Sequence, residues 1–389
     1  MLKDKKILLF ALIVYVLSTG SSYLLFTKSP LAQKFTSPIS PPTIDSSGEI
    51  VFDESLPKTE ACPINGAKYS KQQKAWWEKH RPLGIMIENH ENARPQSGLN
   101  SADIVYEAVA EGGITRTLAI YHCGPPVQVG PIRSARTYFL DWISEYGDSP
   151  LYVHVGGANT PGPADALGQI NDYRWGSYND LNQFSIGFPT FWRDYNRLGH
   201  ATATEHTMYS TTSKLWDFAA KNRKLSNKNE DGTPWDEEFV PYVFKDDASG
   251  GERGSSQGVH IEFWENAPDY NVDWTFDRVS NQYSRKNGNV PHIDKNTGKQ
   301  LTAKNLIILY MQERNANDGY ENNIHLLYRN KGTGKAQVFM DGREIEATWS
   351  KKTRTDKTLL TDKNGNEIKF VRGRIWFHIL PLEGVVRVK

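Results

Sequence analysis

The chain has 389 residues, of which 38% are hydrophobic and 23% charged, with a formal net charge of +1. That apolar content builds a sizeable core, which excludes wholesale disorder, and the length suits about two domains. The near balance of charge lacks the basic excess of general nucleic-acid binders, so no nucleic-acid partner is expected.

Lys3, Lys5 and Lys6 precede the uncharged run "ILLFALIVYVLSTGSSYLLF" at 7–26. A helix of about 20 such residues spans a hydrocarbon core, and the lysines favour a cytoplasmic N-terminus. Residues 1–27 therefore read as a cytoplasmic tip and transmembrane signal anchor, which makes the membrane a partner and places the bulk of the chain outside the cytoplasm. A cleaved signal peptide is the alternative, because Ser18–Ser22 is small and polar. Residues 28–75 begin rich in Ser, Thr and Pro and are taken as a stalk. Cys62 and Cys123 are the two cysteines; they either pair or stay free, and with no CxxC motif no metal site is expected.

Residues 76–222 read as a mixed α/β domain. "KQQKAWWEKH" predicts a short helix, and "RPLGIMIENH" enters a strand at about Leu83–Ile87. "ADIVYEAVAEGGITRTLAIYHC" predicts a hairpin turning at Gly112–Gly113. "VGPIRSARTYFLDWISEYG" predicts a helix with Pro131, Arg133 and Arg136 in its first turn. The strand "LYVHVGG", an aromatic loop-rich stretch and the helix of "STTSKLWDFAAKN" follow. Residues 223–258 are polar and read as a linker or insertion. From 259 to 389, short strand-like runs separated by turn signals predict a smaller, mainly antiparallel β domain, as a sandwich or barrel. The fold class is α+β with one N-terminal transmembrane helix.

"RPLGIMIENHENARPQSGLNSADIVYEAVAEGGITR", "VGPIRSARTYFLDW", "YVHVGGAN", "FWRDYNR…EHTMYS" and "KAQVFMDGREIEATWSK" resemble the DUF3048 family over roughly residues 80–389. The resemblance implies a two-domain, membrane-attached envelope protein and carries no established reaction. This chain departs from the family's lipoprotein pattern, since no acylatable Cys follows the apolar run.

If Gly112–Gly113 is a two-residue loop, Glu111 faces Ile114, Val109 faces Arg116 and Glu107 faces Leu118. Alternation then places Asp103, Glu107, Glu111, Arg116 and His122 on one polar face. Glu88, His90 and Arg94 leave the first strand nearby. Arg133 and Arg136, three apart, project as neighbours at the helix start, where backbone donors also point. They either neutralise the hairpin carboxylates or hold an external anion. Arg193 and Arg197 of "FWRDYNR" and His206 of "EHTMYS" complete the binding set, and Asp103, Glu107 and His154 are the catalytic candidates.

Arg116, Arg133 and Arg136 with Asp103 and Glu107 would suit a pyrophosphate held with a divalent cation, a grouping loosely similar in residue types to the LytR–CpsA–Psr glycan transferases. The expected function is binding of an anionic envelope ligand, a wall glycan or a lipid-linked phosphate, with or without processing of it. A non-catalytic envelope interaction module, its charge cluster structural, is the alternative.

Overall fold

The computed structural model describes residues 12–23, 41–44 and 50–389. The chain divides into two compact units, Met1–Thr43 and Ile44–Lys389. In the first, residues 12–23 are helical and exposed. No helix among the described residues is long and apolar enough to cross a membrane; the remainder of the 7–26 run lies outside them.

The second unit begins with the hairpin of β1 (Lys58–Ala61) and β2 (Lys68–Ser70), followed by α1 (Lys71–Trp77). Ser70 and Gln73 cap α1 reciprocally, so the helix starts directly after the strand. Of the stretch 28–75, the part from Phe52 onward thus contributes buried residues and regular structure. Cys62 and Cys123 form a disulfide.

The next elements are β3 (Leu83–Glu88), β4 (Ile104–Glu111), β5 (Ile114–Tyr121), α2 (Thr137–Ile143) and β6 (Leu151–His154). Then come α3 (Ala166–Asp172), β7 (Asp180–Asn182), α4 (Gln183–Ile186), β8 (Met208–Thr211) and α5 (Thr212–Arg223). In the C-terminal part lie β9 (Gly258–Glu262), β10 (Val272–Asp277), β11 (Gln282–Asn287), β12 (Asn305–Met311), β13 (Gly332–Met340), β14 (Arg343–Lys351), β15 (Leu359–Asp362), β16 (Ile375–Pro381) and β17 (Val385–Val388).

One ten-stranded sheet runs β7-β6-β3-β5-β4-β16-β12-β13-β14-β15 and takes strands from both halves of the sequence. The join is the parallel pair β4–β16, Ile104 to Ala108 against Ile375 to Ile379. Every residue of β16, "IWFHILP", is buried. Such two-faced burial produces a near-continuous apolar run instead of alternation. A six-stranded sheet built on β9, β10, β11 and β17 covers one face, where Trp274 meets Trp376 edge-on at 5.3 Å. On the other face Tyr106 stacks between Trp142 of α2, at 5.6 Å, and Phe377, at 4.6 Å. The polar segment 223–258 also buries Leu225, Trp235 and Tyr242.

Two local expectations are corrected. The hairpin keeps Glu111 opposite Ile114, but an irregularity between Val109 and Glu111 shifts the rest by one: Val109 faces Thr115, Ala108 faces Arg116 and Glu107 faces Thr117. A one-residue slip exchanges faces. Glu107 therefore leaves the sheet on one side, while Arg116 and Glu111 share the side of Ala108. The second correction concerns residues 131–136, which are extended; helix α2 starts at Thr137 with Arg136 as its N-cap. The N–H groups of Ile132, Arg133 and Ala135 are taken by the carbonyls of Met208, Met86 and Gly156. This tertiary pairing takes the donors of the segment, so Arg133 lies outside the helix, while Arg136 sits at its start as the N-cap.

Candidate functional site

The ionisable residues separate into three groups, with Asp103 apart from all of them. In the first, Glu107 lies fully buried between the sheets. Both of its carboxylate oxygens accept from Arg285 Nη2 at 2.7 Å, and Trp376 Nε1 donates at 3.0 Å and Thr115 Oγ1 at 2.9 Å. Burial pushes this carboxyl up, but Arg285 and then His378 outweigh it and hold it well below the usual carboxylate range. Asp103 is separate again. It accepts from Asn65 Nδ2 at 2.7 Å and from the N–H groups of His122 and Cys123 at 2.7 and 3.1 Å, and burial pushes its carboxyl up to about 6. Cys62, Asp103 and Cys123 are the one group of three metal-ligand types gathered closely among the described residues, but both sulfurs are spent in the disulfide. Neither Asp103 nor Glu107 approaches Arg133.

In the second group Glu111 neutralises both Arg116, at 3.0 Å, and Arg136. Arg116 also donates to the Ser134 carbonyl at 3.1 Å. Burial pushes Glu111 up, and the two guanidiniums outweigh it and hold it low. Of the pairing with hairpin carboxylates expected for Arg133 and Arg136, Arg136 makes it, with Glu111 alone, and Arg133 does not.

The third group borders open space. β3, β6 and β7 run parallel, and a cleft of about 630 Å³ opens at their carboxyl ends. Carboxyl edges of parallel strands are where open α/β sheets place ligands. Its lining includes Arg133, Ser134, Gly156, Asn159, Asn182, Phe184, Arg193 and Glu205. Arg133 Nε lies 3.1 Å from Glu88 Oε1, and Glu88 Oε2 accepts from His206 Nδ1 at 2.8 Å. His90 stacks on His206 at 5.0 Å. Among the described residues neither Nε nor either Nη of Arg133 has a hydrogen-bond partner, so its contact with Glu88 is ionic only. Arg193 Nη1 donates to the Thr204 carbonyl at 2.6 Å and to Thr207 Oγ1 at 3.2 Å. The Arg193 guanidinium is thus held by the segment Thr204–Thr207, while that of Arg133 lies in ionic contact with Glu88. Glu205 is held below its ordinary range, first by its own N–H and then, against burial, by His206, Arg133 and His90.

The remaining candidates hold the scaffold. His154 is fully buried, with Nε2 2.6 Å from Asp180 Oδ1 and Nδ1 2.6 Å from the Gly156 carbonyl. That carbonyl can only accept, so Nδ1 carries a proton, and the ring fixes the chain reversal that floors the cleft. Gly156 has φ +59, a conformation that favours glycine, and a Cβ there would lie 3.0 Å from the Phe184 ring. Arg94 donates to the Asn89 and Asp269 carbonyls at 3.0 Å, and burial lowers its pKa to about 10. Arg197 donates to Tyr209 Oη at 2.6 Å and to the Ala93 and Pro95 carbonyls.

The sequence therefore supplies Arg133, Arg193, Glu88, His90 and His206 to one place and sends Asp103, Glu107, Arg116 and Arg136 elsewhere. Asn159, Asn182 and Glu205 were missed, each being one more polar residue in a loop-rich stretch. Arg285 was missed because it is 178 residues from Glu107.

The fold and site define a mostly β, mixed α+β protein with a cleft where two arginines are held beside buried carboxylate and imidazole groups. Residues 67–226 match the model described as "Protein of unknown function (DUF3048) N-terminal domain", and residues 259–377 match its C-terminal counterpart. The chain belongs to the DUF3048 family. It is 31% identical over 322 residues to the Bacillus subtilis (strain 168) protein named "Putative lipoprotein YerB", covering 82% of this chain and 86% of that one. The crystal structure of the YerB protein from Bacillus subtilis matches with a TM-score of 0.67 at 26% sequence identity, over 85% of this chain and 100% of the other.

Proposed function

We propose that this is a membrane-anchored cell-envelope protein whose body lies outside the cytoplasm and whose cleft binds a phosphate- or carboxylate-bearing ligand, such as a wall glycan or lipid-linked phosphate. The observation that carries the binding reading is Arg133. Its guanidinium makes an ionic contact with buried Glu88 but no hydrogen bond, so its N–H groups are unpaired among the described residues at the lining of the cleft. A guanidinium with unpaired N–H groups at a cleft offers charge-assisted donors to an anion. The paired Arg116 and Arg136 take no part.

Calorimetric titration of the full chain with inorganic pyrophosphate tests it. Arg133→Ala should weaken binding by about tenfold or more, the worth of a hydrogen bond to a charged group. Its melting temperature should fall, because buried Glu88 keeps only His206 beside it, so the titration is run well below the onset of unfolding. Equal affinities would remove the proposal.

The envelope reading draws on the lysine-flanked run 7–26, the relative's lipoprotein name and the Cys62–Cys123 disulfide, which suits an oxidising compartment. Alkaline carbonate extraction should leave the full chain in the membrane pellet and release a variant lacking residues 7–26. Release of both would argue against the anchor.

A further inference from the structure

Helix α4 and the loop after it form a ridge between two clefts. Phe184 lines the Arg133 cleft, and Phe188 lines a second one of about 420 Å³ together with Ile186, Lys214, Phe218 and Lys221. Phe184 and Phe188 are 72% and 83% exposed. Two large apolar rings held out to water on one short ridge mark an interaction surface. Lys214 donates to the Pro189 carbonyl at 2.8 Å and lies over the Trp192 ring, so its charge is pinned beside Phe188. The adjoining α5 and its cap carry Lys214, Lys221, Arg223 and Lys224 against Asp217 alone. Apolar rings flanked by cations match a surface that is apolar within and anionic at its face.

We propose that the α4 ridge docks onto anionic phospholipid, with Phe184 and Phe188 entering the acyl boundary, α5 facing the headgroups and a lipid phosphate seated at Arg133. This rests on reading the cleft as an anion site and the chain as membrane-anchored.

The test uses the full chain in nanodiscs. Both native cysteines are in the disulfide, so Ser185→Cys, at an exposed position between the two rings, provides a single labelling site for a polarity-sensitive fluorophore. With phosphatidylglycerol present, the emission should shift to the blue and rise by roughly twofold over phosphatidylcholine alone, as expected when a probe leaves water for the interface. Adding Phe184→Ser and Phe188→Ser should abolish the rise, and Lys214→Ala with Lys221→Ala should reduce it. Equal emission on both lipids, or a rise induced by soluble wall-glycan fragments without lipid, would overturn the docking. Pyrophosphate titration of the same proteins separates the two readings. A ridge that stays wet while pyrophosphate binds defeats the docking alone, and a dry ridge without pyrophosphate binding defeats the Arg133 reading and the lipid phosphate placed there, leaving the insertion of the two rings.

Discussion

Arg285→Met is expected to lower the unfolding free energy by about 3–5 kcal/mol at neutral pH, the usual cost of leaving a buried charge without its partner. Arg285 and Glu107 are both fully buried, so the carboxylate has no bulk solvent beside it to take the place of the guanidinium. Arg285 also donates to His292 Nδ1 at 2.9 Å, and His292 Nε2 lies 2.6 Å from Gln96 Oε1. Nδ1 must accept, so His292 is neutral, in line with burial and then Arg285 pushing its pKa well down. In the wild type it therefore adds no positive charge beside Glu107. The pH dependence has a definite sign. In the wild type Glu107 is held below its ordinary 4.5, so its contribution is present above that value and is lost as pH falls through the folded pKa. In the variant burial acts without Arg285 and raises the carboxyl, so acid relieves the defect. Urea unfolding at pH 7 and pH 4 should show a gap between the two proteins that narrows on acidification. A gap under about 1 kcal/mol at neutral pH, or one that widens in acid, would show that the pair does not work as described. Replacing both residues with apolar side chains should recover much of the loss.

That pair also shows where sequence reading stops. The strand at Leu83, the Gly112–Gly113 turn and the helices around Lys71 and Thr212 were legible because each rests on local chemistry: a turn pair, a cap, a periodicity. The place of Glu107 was not, because it depends on one bulge near Ala110 and on a partner from the other half of the chain. Nor was the extended course of residues 131–136. Its apolar spacing is helical, but carbonyls from three distant segments claim the N–H groups first. The cleft was legible in part. Glu88, Arg133, Arg193 and His206 stand out as residue types, and only the parallel strand ends reveal that they meet without Arg116 and Arg136. β16 reads as one more antiparallel strand because its pairing direction with β4 has no signature in a fully apolar run.

Removing the Cys62–Cys123 bridge, by Cys62→Ser with Cys123→Ser or by reduction, should cost about 4 kcal/mol, the loop-closure value for a cross-link of this span. The two residues are 61 apart, and the loop they close contains β3, β4 and β5, the centre of the ten-stranded sheet. The cross-link therefore restricts an unfolded chain that must still assemble these three strands before β16 can pair with β4. In the folded state it also ties the β1–β2 hairpin, which supplies Asn65 to Asp103, to the end of β5, whose following N–H groups bond the same carboxylate. Without the tie the hairpin can lift, and Asp103 loses its side-chain donor while it keeps the two backbone ones. Hydrogen exchange should then rise first in residues 58–70 and only later in β5. Denaturant titration with and without dithiothreitol measures the total. A loss below about 1 kcal/mol, or exchange that rises evenly across the sheet, would mean that the bridge only decorates a hairpin already held by packing.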